Sequence, residues 1–323
     1  MQKKGRFSLK VCVMALAAVM ALPSWAQDSH AADKHAAPIT APLVDLGAEH
    51  EKLVPKPPAA DVHDEPKADT QAAAKPEKHE AHAVHWSYSG EGAPRFWGEL
   101  APEFSTCKTG RNQSPIDLRD ARALGTQGLA GLDIAYRDSL LKIINNGHTV
   151  QVNFPLGSYI KVGGHRYELL QFHFHTPSEH FKEGFAYPME MHLVHKDGDG
   201  NLAVLGILFQ EGEENPYLNG ILKRLPKEVG KEQLHDDFKL NPVNFLPGNT
   251  EFYKYSGSLT TPPCSEGVYW MVFKQPIEAS ARQIRQMNEL MGENARPVQP
   301  LNSRDVLKSW MEPEIDNRLY EVY

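Results

Sequence analysis

The chain has 323 residues, 41% of them hydrophobic and 23% charged, with a formal net charge of -7. That balance suits a soluble globular protein of one large domain or two ordinary ones, and it leaves no basic footprint for nucleic acid or for anionic lipid. With 24 prolines and 24 glycines, part of the chain is expected not to be compact.

In chain order, the first element is a leader. Lys3, Lys4, Arg6 and Lys10 form a basic start, residues 11–22 are apolar, and Ser24 and Ala26 put small side chains before a cut at Gln27. This is the layout of a secretory signal peptide over residues 1–26. A membrane anchor is the alternative, but the apolar run falls short of the roughly 20 residues a spanning helix needs. No Cys follows it in lipobox position. The style of the leader points to a bacterial chain and to the periplasm, with no stable membrane span after cleavage.

Residues 27–84 are a different material. They are rich in Ala, Pro, Lys, Glu and Asp, and Pro38, Pro42, Pro55, Pro57, Pro58, Pro66 and Pro76 interrupt any helix. Such a segment cannot bury enough apolar surface to offset its chain entropy, and it reads as a disordered tether. It carries His30, His35, His50, His63, His79 and His82. A scattered His tract can collect zinc weakly, although a solvated spacer explains it as well.

From His85 to Tyr323 aromatic and apolar residues become frequent, and the stretch is long enough for one domain with a substantial core. Its patterning is mostly β. Strands are predicted at residues 142–144, 149–154, 159–162, 169–175, 189–195, 202–209 and 269–273, with turns at Asn145-Asn146-Gly147 and Gly163-Gly164. Helical periodicity is limited to residues 217–225 and 280–290. Once the leader and its Cys12 are removed, Cys107 and Cys264 remain. An oxidising compartment favours joining them, and two separate buried thiols are the alternative.

Two segments carry chemistry: Gln171-Phe172-His173-Phe174-His175 and Glu190-Met191-His192-Leu193-Val194-His195. Strand side chains alternate between faces, so Gln171, His173 and His175 share one face and Glu190, His192 and Val194 another. His195 points away. If the two strands pair, three imidazoles converge, and three neutral nitrogens with one open position are what a catalytic zinc needs. Gln171 and Glu190 each lie two residues before a ligand, placed to hold the ring nitrogen the metal does not use.

These segments resemble the zinc core of the α-class carbonic anhydrases. Further blocks of that family stand in the same order: Asn112-Gln113-Ser114-Pro115-Ile116-Asp117, Asn145-Asn146-Gly147-His148, Ser178-Glu179-His180, Leu202-Ala203-Val204-Leu205-Gly206, Ser258-Leu259-Thr260-Thr261-Pro262-Pro263 and Asn294-Ala295-Arg296-Pro297. The resemblance covers residues 85–323. It implies a mainly β fold with a large twisted, mostly antiparallel sheet, peripheral helices and a deep zinc cleft. It also implies reversible hydration of carbon dioxide to bicarbonate and a proton, by attack of a zinc-bound hydroxide.

The resemblance assigns roles residue by residue. His173, His175 and His192 hold Zn2+. Gln171, Glu190 and the backbone carbonyl of Asn294 support them, and His180 with Tyr255 braces Glu190. Thr260 hydrogen-bonds the hydroxide and donates to Glu179. Val194, Val204, Leu259, Thr261 and Trp270 form the substrate pocket. His148 is the proton shuttle, and Tyr88, Asn146 and Gln151 line its water path. Cys107 and Cys264 fall where exported relatives carry a disulfide. The short stretches between His175 and Glu179 and between His180 and Glu190 depart from mammalian-type relatives and imply a more open cavity. A homodimer is compatible with the sequence. Two other readings compete: a silent binding module on the same fold, and zinc buffering by the tether.

Overall fold

The computed structural model describes residues 85–126, 129 and 131–311. The leader and tether expected over residues 1–84 lie outside the described residues. Ten strands form the main path of a sheet: β1 (Leu124–Gly125), β2 (Ser139–Asn145), β3 (Val150–Asn153), β4 (His165–His175), β5 (Met189–Lys196), β6 (Leu202–Glu211), β7 (Gln233–Leu240), β8 (Phe252–Ser258), β9 (Glu266–Phe273) and β10 (Leu307–Lys308). Their spatial order is β7-β2-β3-β4-β5-β6-β9-β8-β10-β1, and Leu132–Ala135, Tyr159–Val162 and Ile277–Ala279 bring the sheet to thirteen strands among the described residues. Most neighbours run antiparallel. The pairs β6–β9 and β10–β1 are parallel, so the twisted sheet is mixed.

Alternation along the strands sorts the apolar residues into two clusters. Phe172 and Phe174 of β4, Met189, Met191 and Leu193 of β5, and Leu205, Ile207 and Phe209 of β6 belong to the larger one. Val194, Val204, Leu208, Tyr255, Trp270 and Val272 belong to the other. Helices α1 (Pro216–Leu222) and α2 (Ala281–Met291) pack Leu218, Ile221 and Met287 into the larger cluster. Each helix starts where its sequence supplies a cap. The Asn215 side chain accepts from the N–H groups of Tyr217 and Leu218, and Ser280 with Gln283 forms a capping box.

Register decides which residues meet on the polar-lined face. One row across five strands runs Gln151, His173, His192, Gly206, Val272. The next row toward the start of β5 pairs His175 with Glu190, and Glu190 with Leu208. On the other side lie Gln171, Val194, Val204 and Trp270. Adjacent strands sit about 4.8 Å apart, so pairing alone brings His173, His175 and His192 within reach of one ion.

Every strand expected from the sequence is present, and both helices are present with shifted ends. Strands β1, β7, β8 and β10, the strands Leu132–Ala135 and Ile277–Ala279, and the small sheet of Asp117–Leu118, Phe181–Lys182 and Phe185–Ala186 were not expected.

Candidate metal centre

The ring nitrogens of His173, His175 and His192 that could act as ligands all lie within 4.8 Å of one another. The opposite nitrogen of each ring is held by the protein. His173 Nδ1 is 2.8 Å from Gln171 Oε1, His175 Nδ1 is 2.8 Å from the Asn294 carbonyl, and His192 Nε2 is 2.8 Å from Glu190 Oε1. That leaves Nε2 of His173 and of His175 and Nδ1 of His192 facing inward. His175 is 1% exposed, yet its Nε2 has no hydrogen-bond partner among the described residues. A buried ring nitrogen left without a partner is costly unless something binds it. Three imidazoles with no thiolate form a donor set suited to a divalent transition metal.

Glu190 is the hub behind the ligands. Its Oε2 accepts from the backbone N–H groups of Glu179 (2.9 Å) and His180 (2.8 Å), and its Oε1 lies 2.7 Å from His180 Nδ1. Burial works to raise its pKa, but the charges and hydrogen bonds of His180 and His192 prevail and hold it well below the usual carboxylate range. The ionised Glu190 in turn pulls His192 upward against burial, which makes that ring a stronger donor. His173 is driven well down, first by burial and then by its imidazole neighbours. Burial also lowers His175, with Glu179 opposing. Both therefore favour the neutral, ligating form.

His180 reaches on to Tyr255. Its Nε2 is 2.7 Å from the Tyr255 hydroxyl, which donates to Ser114 Oγ at 2.8 Å. Asn294 joins a different pair of elements. Its side-chain Oδ1 accepts from Thr176 N–H, and its Nδ2 donates to the carbonyls of His148 and Phe174.

The structure departs from one expected contact. Glu179 Oε1 accepts from the Arg296 N–H at 2.9 Å, while Oε2, 3.5 Å from His175 Nε2, has no hydrogen-bond partner among the described residues. The expected donation from Thr260 to Glu179 is thus not formed. Thr260 is 6% exposed, in the loop where the Cys264 N–H donates to the Thr261 carbonyl. Cys264 is bonded to Cys107, as the sequence favoured.

The other candidate residues lie on β3, β5, β6 and β9 and on neighbouring loops. Val194, Val204, Leu259 and Trp270 pack in one apolar cluster, and Trp270 lies 4.8 Å from the His192 ring. His148 is half-buried after a turn in which Asn146 Oδ1 accepts its N–H at 3.0 Å. Gln151 sits across from His173 and donates to Asn153 Oδ1. Burial and the charge of Glu179 push the Tyr88 phenol well up, so it stays protonated.

Two residues given no role by the sequence belong to the site. Gly206 faces His192, and a Cβ there would lie 3.1 Å from Glu190 Oε1 and 3.2 Å from Val272. Arg296 is 3% exposed and donates to Gln113 Oε1 and to the carbonyls of Ser114 and Cys107. Burial lowers its pKa to about 10, against the pull of Glu179, so it keeps its charge at neutral pH. Its motif block was visible, but its partners lie 182–189 residues away in sequence.

Among known proteins, the family model for eukaryotic-type carbonic anhydrase matches residues 92–310. A carbonic anhydrase of Nostoc sp. is 47% identical over 231 residues, 71% of this chain and 88% of that protein. One from Pectobacterium carotovorum is 44% identical over 227 residues, 70% of this chain and 91% of that protein. The solved structure of the α-carbonic anhydrase of Thermovibrio ammonificans with the inhibitor sulfanilamide matches with a TM-score of 0.68 and 47% identity, over 70% of this chain and all of that one. The chain belongs to the α-type carbonic anhydrase family and is an enzyme of that kind.

Proposed function

We propose that the chain hydrates carbon dioxide reversibly to bicarbonate and a proton with Zn2+ held by His173, His175 and His192. The observation that carries this reading is the set of three inward imidazole nitrogens, each on a ring whose other nitrogen is held by a protein acceptor. Bound there, zinc supplies a Lewis acid that lowers the pKa of water to about 7, an effect for which carbonic anhydrase is itself the standard example.

The chain's own groups supply the rest. Gln171, Asn294 and Glu190 fix the ring tautomers and keep the ligands aimed. We assign Glu179, whose Oε2 has no hydrogen-bond partner among the described residues, as the acceptor for the Thr260 hydroxyl once that hydroxyl turns toward it with metal and water bound; Thr260 can then only accept from the reacting water and so orients it. Val194, Val204, Leu259 and Trp270 offer carbon dioxide a dry wall, and Thr261 is assigned to the same pocket. His148 takes the product proton outward past Tyr88, Asn146 and Gln151, since an imidazole changes charge near neutral pH. Export to the periplasm after removal of residues 1–26, and a spacer role for residues 27–84, complete the reading.

The test is stopped-flow carbon dioxide hydration on the zinc-loaded protein. Chelation should abolish the catalysed rate and added zinc restore it, and His192→Ala should fall to near the uncatalysed rate with an unchanged circular-dichroism spectrum. A His192→Ala protein that keeps the full rate would defeat the assignment.

A further inference from the structure

Gln151 of β3 pairs with His173, and Asn153 with Gln171, so these four side chains share the sheet face that carries the ligands. Lys142 of β2 lies opposite Asn153 and extends the row toward solvent, its side chain 38% exposed. A chain of polar contacts runs back along this row. Glu232, just before β7, receives Lys142 Nζ on Oε1 at 2.7 Å and Asn153 Nδ2 on Oε2 at 2.7 Å. Asn153 Oδ1 in turn receives Gln151 Nε2 at 2.7 Å. The sense of the chain is forced from its outer end, because an ammonium can only donate and a carboxylate can only accept. Asn153 must therefore turn its NH2 to Glu232, which leaves its carbonyl for Gln151. Gln151 must present its own NH2 to Asn153. Its Oε1 is the end left for the cleft, and no group among the described residues donates to it.

We propose that Glu232 is a positioning residue for the cleft: acting through Asn153, it holds the Gln151 amide with its carbonyl oxygen on the metal-site side, so that this wall favours ligands that donate a hydrogen bond over ligands that only accept one. This rests on the zinc reading of the three imidazoles. Carbon dioxide neither donates a hydrogen bond nor carries charge, so the chain sets selectivity and not the hydration rate. Glu232→Gln reverses every link. Lys142 then takes the oxygen of the new amide, whose NH2 faces Asn153. Asn153 answers with its carbonyl, and the Gln151 NH2 is left for the cleft. Adding Asn153→Asp places an acceptor-only group between two NH2 groups. That returns the Gln151 carbonyl to the cleft and restores the net charge of the parent.

The experiment compares the zinc-loaded full chain with Glu232→Gln and with Asn153→Asp/Glu232→Gln. Neutron diffraction from deuterated crystals reads which end of Gln151 faces the cleft. Inhibition of hydration by two neutral aryl sulfonamides, one with a para amine and one with a para acetyl group, reads selectivity. In the parent the Gln151 deuterium atoms should lie toward Asn153, and in Glu232→Gln toward the cleft. The affinity ratio of acetyl to amine compound should rise about 3- to 10-fold in Glu232→Gln, the worth of one net hydrogen bond, and return to the parental ratio in the double variant. For carbon dioxide, kcat/KM should stay unchanged in both variants. A parent whose Gln151 NH2 faces the cleft overturns the proposal by itself, whether or not the variants fold. An unchanged ratio in Glu232→Gln, or a raised ratio that Asn153→Asp does not restore, overturns it and leaves the zinc reading standing. A parent with no zinc-dependent hydration defeats the zinc reading, and the proposal falls with it.

Discussion

His192 and His195, three positions apart on β5, show how surroundings divide one residue type between chemistry and architecture. His192 faces Glu190 and is kept basic. His195, on the far side of a register shift after Val194, is fully buried between the Tyr136 hydroxyl at 2.7 Å and the Ala203 carbonyl at 3.2 Å. Burial lowers its pKa to about 3, more than its backbone hydrogen bonds can offset. Its unfolded value is about 6.5. Between those values the unfolded chain binds a proton that the folded chain refuses. Stability from this residue is therefore whole above about pH 6.5 and drains away as pH falls toward 3. Gln offers a donor and an acceptor at this position without titrating. His195→Gln should lose less stability than the parent between pH 7 and 4.5, read as the shift in urea midpoint, and an equal loss would refute this. The sequence showed that His195 points away from the ligands, because period 2 requires it. It did not show the pairing with Tyr136, which lies 59 residues earlier in the chain.

At the scale of elements, the strands that were legible are those whose alternation is decided by two buried faces. On β4, β5 and β6 apolar residues fill one side, and the ligand rows occupy the other. The strands that were not legible lack that signature. β1 and β10 are two residues long, and β7 is a charged edge strand with a register shift. In β8, Lys254, Ser256 and Gly257 break the pattern, and its place is fixed by pairing with β9. Gly206 on β6 has the sharpest consequence for the site, because the sheet brings it directly against His192 and Glu190. Gly206→Val should displace Glu190 and weaken zinc binding by about 10- to 100-fold, the usual cost of disturbing a group that orients a ligand. Competition with a chromogenic chelator measures it, and parental affinity would show that Glu190 does not depend on this close approach.

Across the whole molecule, the site is closed by parts of the chain far apart in sequence. The Cys107–Cys264 disulfide spans 157 residues, and Arg296 and Gln113 hold the carbonyls of its two ends. Loop closure of that length predicts that the Cys107→Ser/Cys264→Ser double variant unfolds at lower denaturant, by about 2–5 kcal/mol. Equal stability of the two proteins would contradict it. The cysteine pair was legible from the count and the leader, whereas the latch formed by Arg296 and Gln113 is a product of tertiary structure. All of these long-range ties serve one arrangement, three imidazole nitrogens aimed at a common point. Its most direct test is a crystal structure of the zinc-loaded protein with diffraction recorded at the zinc edge. The account predicts one strong anomalous peak about 2.0–2.1 Å from Nε2 of His173, Nε2 of His175 and Nδ1 of His192, with no fourth protein ligand. A peak elsewhere, or a fourth side chain on the metal, would contradict it.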